Sequence, residues 1–96
     1  MGDDEFEWDD DKAKSNLTKH GISFEAGRRV FDDAFSFGFP DAGDAGDEIR
    51  YVMVGMANGV LLTVVYTERG ERTRIISARK ATRHEQREYY RSQTAE

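Results

Sequence analysis

Cations crowd one stretch of this sequence, "RTRIISARKATRHE" from Arg72 to Glu85, which carries Arg72, Arg74, Arg79, Lys80 and Arg83 and is followed by Arg87. Guanidinium groups bind phosphate bidentately and stabilise negative charge growing on a phosphoryl oxygen. Tyr66 before the stretch, and Tyr89 and Tyr90 after it, offer rings on which unpaired bases could stack. The plain alternative is that Glu68, Glu71, Glu85 and Glu88 pair with these cations, leaving only a solvated surface.

Two smaller groups could move protons. In "KHG" (Lys19, His20, Gly21) a histidine at a helix C-terminus is favoured in its protonated form by the dipole. It could give or take a proton while Lys19 holds a phosphate. Equally, a helix-terminal cation before a glycine stop needs no function. His84, in a charged helix, reads as surface. Glu68 and Glu71 flank a turn; Glu68 beside arginines could act as base toward a ribose hydroxyl, or simply be solvated. There is no cysteine nucleophile, paired-histidine metal spacing, glycine-rich phosphate loop or serine elbow. The carboxylates between Asp41 and Glu48 lack the EF-hand spacing. No cofactor and no metal is expected.

Ninety-six residues fit one domain, residues 1–96, with 1–5 and 92–96 expected as flexible ends. Hydrophobic content is 38% and charged content 34%, polar for a globular chain, but aromatic and aliphatic runs argue against disorder. Without cysteine a disulfide framework is impossible, which fits a reducing compartment. No apolar run approaches the ~18 residues of a membrane helix, and the N-terminus lacks a signal-like apolar region, so a cytoplasmic location is expected. The net charge of −5 conceals an asymmetry. Residues 1–50 carry 6 Lys/Arg against 14 Asp/Glu, and residues 51–96 carry 8 against 5. Local charge, not overall charge, therefore decides whether nucleic acid is a partner.

The elements that must position these groups are legible in outline. "FEW" reads as an edge strand or anchored arm. "DDDKAKSNLTKHG" reads as a helix capped by Asp9 or Asp10, stopped by Gly21, with a thin apolar stripe of Ala13 and Leu17. "SFEAGRRVFDD" reads as a second helix capped by Ser23, with Phe24, Gly27, Val30 and Phe31 on one face. "AFSFGFP" alternates Phe35, Phe37 and Phe39 as a strand with a buried face, ended by Pro40. An acidic loop follows. "IRYVMVGM", "VLLTVVYT" and "ERTRIISAR" form an antiparallel meander with turns at Asn58-Gly59 and Arg69-Gly70. "ATRHEQREYYR" is a helix opened by a Thr82–Glu85 capping box. The order β-α-α-β-β-β-β-α defines an α+β fold, two N-terminal helices on one sheet face and the other face free to stay open. In the last strand Ile75 and Ile76 fall on opposite faces, so it is either covered on both sides or bulged between them.

"FEWDDDKAKSNLTKHGISFEAGRRVFDD" and "GERTRIISARKATRHEQREYY" together resemble the BrnT family of bacterial type II toxins, similar in fold to RelE-type endoribonucleases, over about Phe6 to Tyr90. The sequence departs from that pattern at Asp10 and Ala34, where proline is common, and at Gly27, where alanine is common. The resemblance implies RNA cleavage that stops translation. It also implies a cognate BrnA-like antitoxin with a ribbon-helix-helix DNA-binding part, a heterotetrameric complex, and DNA contact only through the antitoxin. Lys19, His20, Arg79, Lys80 and Glu85 match its motif positions. On this reading Arg79 and Lys80 hold the scissile phosphate, and Arg69, Arg72, Arg74 and Arg83 extend the RNA track. His20 or Glu68 handles protons, and Lys19 supports the site. The ribose 2′-hydroxyl attacks the adjacent phosphate without a metal. The rival reading is a non-catalytic module whose basic face binds an acidic partner chain. Direct duplex binding is disfavoured by the acidic half and by Glu85 and Glu88 in the last helix.

Overall fold

The computed structural model describes residues 5–41 and 48–94. Its elements are β1 (Phe6–Glu7), α1 (Asp10–His20), α2 (Phe24–Arg29) with a 3-10 turn at Val30–Asp32, β2 (Phe37–Pro40), β3 (Arg50–Ala57), β4 (Val60–Arg69), β5 (Arg72–Lys80) and α3 (Arg83–Thr94). The acidic loop at 42–47 lies outside the described residues. One five-stranded sheet runs β1-β5-β4-β3-β2, antiparallel except for β1, which lies parallel to β5 through Phe6–Thr73 and Glu7–Arg74. The α+β arrangement expected from the sequence, RelE-like with two helices on one face, is present.

Local chemistry sets the helix limits. Asp9 Oδ1 accepts from the Asp11 N–H (2.9 Å), and Gly21 at φ 72° closes α1 by donating its N–H to the Leu17 carbonyl. Ser23 caps α2 by accepting from the Ala26 N–H. Asn58 (φ 53°) and Gly59 (φ 83°) supply the two left-handed residues of the β3–β4 hairpin.

The sheet carries a core on each side. Under α1 and α2, which define the first face, lie Phe6, Trp8, Phe24, Val30, Leu62, Val64, Ile75 and Ala78. Burying each large side chain contributes about 1.5–3 kcal/mol. Gly55 lets the 3-10 turn settle on β3, since a Cβ there would lie 2.8 Å from Val30 Cγ1. On the second face Val52, Val54 and Leu61 pack with Ala81 and Tyr89.

Three expectations need correction. Leu17 does not pack: it is 52% exposed, and α1 is fastened by the buried Asn16. Asn16 Nδ2 donates to the carbonyls of Ala78 (2.7 Å) and Ile22 (2.9 Å), while its Oδ1 accepts from the Ala78 N–H (3.2 Å). It satisfies the β5 edge beyond the point where the two-residue β1 ends. The phenylalanine strand is not buried either, because it forms the sheet edge and only Phe37–Pro40 are in it; Phe35 is 59% exposed. The second helix breaks after Arg29 into its 3-10 turn.

The choice left open for β5 resolves in favour of the bulge. It is interior, between β1 and β4, and it is bulged: Val65 pairs with Ser77 and Tyr66 with Ile75, leaving Ile76 unpaired. The bulge puts Ile75 and Ala78 together in the first core. It also returns Arg79 to the same face as Arg72 and Arg74.

Candidate functional site

Register assigns each candidate to a face. On the second face, successive rows are Arg69 with Arg72; Arg50, Thr67 and Arg74; Val52, Val65 and Ser77; and Val54, Thr63 and Arg79. Arg69, Arg72, Arg74 and Arg79 therefore share one surface, joined by Arg50, which sequence reasoning missed. Alternation in β3, with Val52 and Val54 known to face inward, could have found it.

The two ends of this surface differ. At the Arg79 end, α3 lies over the sheet. Arg79 Nη1 and Nη2 donate to Glu85 Oε1 (2.9 Å) and Oε2 (3.0 Å), a bidentate pair. Glu85 Oε1 also accepts from Thr63 Oγ1 (2.7 Å) and from the Thr82 N–H (2.8 Å), the latter half of the anticipated capping box. Partial burial opposes ionisation of Glu85, but Arg79, the Thr82 N–H and Thr63 outweigh it and hold its pKa down at about 2. The same hydrogen bonds, donated by Arg79 to Glu85, raise the pKa of Arg79. Arg79 is thus a locked cation whose side chain is still 36% exposed.

Further along α3, the Tyr89 hydroxyl donates to Asp33 Oδ2 (2.6 Å), which also accepts from the Met56 N–H (2.8 Å). Burial, then the hydrogen bond and negative charge of Asp33, push Tyr89 up to about 12. Burial resists the charge on Asp33, but the Tyr89 hydroxyl and the Met56 and Phe35 N–H groups keep its pKa low. Asp33 therefore clips α3 across the edge of β3.

At the other end no helix intervenes. Glu7 on β1 sits beside Arg74 (Nη1 to Oε2, 3.0 Å) and nearer solvent reaches Arg72 (3.8 Å). Arg69 faces Glu48 at 3.8 Å. The cluster is thus partly paired, as the plain alternative held, but the carboxylate partners are Glu7, Glu48 and Glu85; Glu68 and Glu71 pair with none of these arginines.

The remaining candidates are not brought together with Arg79. Lys80 pairs in register with Leu62 and so projects toward the first face, exposed. Lys19 and His20 are exposed at the end of α1, one turn beyond Asn16, on the first-face side. Glu68 lies five residues along β4 from Thr63, the partner of Arg79, about 17 Å away at strand spacing and on the opposite face. Arg83 is exposed at the start of α3. Of the three tyrosines, Tyr66 is packed between Phe31 and Tyr51, Tyr89 is buried, and Tyr90 is exposed. Among the described residues no group of three or more His, Asp or Glu could hold a metal ion, and no helix is long and apolar enough to cross a membrane.

A small α+β domain with an arginine-lined sheet face is the RelE-like class of architecture. A family model described as "Ribonuclease toxin, BrnT, of type II toxin-antitoxin system" matches residues 8–85, well over half the chain, and the chain belongs to that family. As a member it is a ribonuclease toxin, whose substrate is RNA and whose partner is a protein antitoxin. No curated protein matches the chain.

Proposed function

We propose that this toxin is an endoribonuclease that cuts RNA to arrest translation in the cytoplasm, needs no metal, and is held inactive by an antitoxin of the BrnA-like, ribbon-helix-helix kind in a heterotetramer. The observation that carries the reading is the line of arginines along β5. Arg72 and Arg74 stand two residues apart, about 6.8 Å, on the face that Arg79 also occupies. Such spacing suits successive phosphates of an unpaired strand, with Arg69 at its margin. Bidentate donors fixed in place stabilise an oxyanion without reorganising, which favours charge stabilisation by the protein's own cations. Lys19, His20 and Lys80, on the other side of the sheet, are assigned no step.

Expression of the chain alone should arrest growth and amino-acid incorporation, and the product of the adjacent gene should lift the arrest. Soluble protein that accumulates without arrest, yet co-purifies with that product, would replace this reading with the binding-module alternative.

A further inference from the structure

The row Arg50–Thr67–Arg74–Glu7 runs unbroken across β3, β4, β5 and β1 on the second face. Three of its features do not follow from sheet stability. Arg50 has no carboxylate partner among the described residues, and its Nε is buried without a hydrogen bond. Thr67, 2% exposed, donates from Oγ1 to the Ile49 carbonyl (2.6 Å), fixing the strand end that carries Arg50. Among the described residues Arg50, Arg72 and Arg74 together meet one carboxylate, Glu7, leaving an excess of positive charge at the end of the face that α3 does not cover.

Glu7 and Glu85, the carboxylates that pair with the β5 arginines on this face, are not equivalent. Glu85 accepts four hydrogen bonds, three on Oε1 and one on Oε2, and both of its oxygens are tied to Arg79. Glu7 accepts one short bond on Oε2, while Oε1 has only the 3.8 Å contact with Arg72. Its side chain is 22% exposed. A carboxylate steered by one guanidinium, with one oxygen open and a second guanidinium 3.8 Å from it, is equipped to take a proton next to a phosphate.

We infer that the open end of the second face is the cleavage centre, with Glu7 as the proton acceptor and Arg50, Arg72 and Arg74 holding the scissile phosphate. This rests on the ribonuclease reading above. Glu7 takes the proton of the ribose 2′-hydroxyl as its oxygen bonds to phosphorus. The bond from phosphorus to the 5′-oxygen breaks, and that oxygen takes a proton from solvent water. The products are a 2′,3′-cyclic phosphate and a 5′-hydroxyl, and Glu7 returns its proton to solvent. The arginines neutralise the extra charge on the phosphorane.

The test compares wild type, Glu7→Gln, Arg50→Ala and the control Lys12→Ala as purified full chains cutting a short oligoribonucleotide. Glu7→Gln should lower kcat by about 100-fold or more. It should bind a 2′-deoxy analogue at least as tightly as wild type, since a negative charge is gone. The groups facing Glu7 are Arg72 and Arg74, with Arg69, Glu48 and Arg50 further across the strands. Arg50→Ala, which breaks no ion pair among the described residues, should lower kcat/KM about tenfold or more, while Lys12→Ala matches wild type. Glu7→Gln cleaving within threefold of wild type overturns the inference. If Glu7→Gln does not fold by circular dichroism, Arg50→Ala decides, and unchanged cleavage by it overturns the inference equally. Wild-type protein that leaves the RNA intact would overturn the ribonuclease reading itself, a separate failure.

Discussion

Replacing Glu85 with glutamine keeps the size of the side chain and removes the charge that locks Arg79. The pKa of Glu85 falls from its ordinary 4.5 to about 2 in the folded protein. At about 1.4 kcal/mol per pH unit, that gap is equivalent to about 3.4 kcal/mol. Solvent screens the pair, since Arg79 is 36% exposed, so about 2 kcal/mol is the expected contribution. The sign follows from the depressed value. Folding is stabilised fully above pH 4.5, and the contribution is lost as pH falls toward 2. Urea unfolding of wild type and Glu85→Gln across a pH series would measure it. At pH 7 the variant should be less stable by about 2 kcal/mol, or about 8–16 °C in Tm for a domain of this size. The difference should narrow as the pH drops below 4.5. A difference independent of pH, or one under about 0.5 kcal/mol at pH 7, would refute the view that this ion pair fixes α3 to the sheet.

Other perturbations address the remaining fastenings. Asn16→Ala should cost about 3 kcal/mol by denaturant titration, because it strands the Ala78 N–H and two carbonyls at a buried site. Tyr89→Phe should cost about 1.5–3 kcal/mol near neutral pH by losing its bond to ionised Asp33. With Tyr89 raised from 10.0 to about 12, its stabilisation is complete below pH 10 and fades as pH rises toward 12; the phenylalanine variant should lack that alkaline loss in thermal melts.

Much of the fold was legible because its signals are local. The caps at Asp9, Ser23 and Thr82, the stop at Gly21 and the turn at Asn58-Gly59 each depend on a few neighbouring residues. The bulge could be suspected from Ile75 and Ile76, yet only pairing with Val65 and Tyr66 locates it. What failed were inferences from hydrophobicity alone. Leu17 gave way to a polar residue that bonds a strand edge, and Phe35 lies outside a strand whose own position is the sheet margin. For the site, sequence proximity grouped Arg79 with Lys80, but adjacent strand residues point to opposite faces. Arg50 and Glu7 were overlooked because each joins the arginines only through the sheet, Arg50 across β4 and Glu7 through parallel pairing of β1 with β5.

The most direct test of the central claim uses antitoxin-free protein, an end-labelled RNA and excess EDTA. Cleavage should proceed at the rate seen without chelator and leave 2′,3′-cyclic phosphate and 5′-hydroxyl ends, as attack by the neighbouring hydroxyl requires. RNA that stays intact with folded protein, or that is cut only once a divalent ion is restored, would contradict the account.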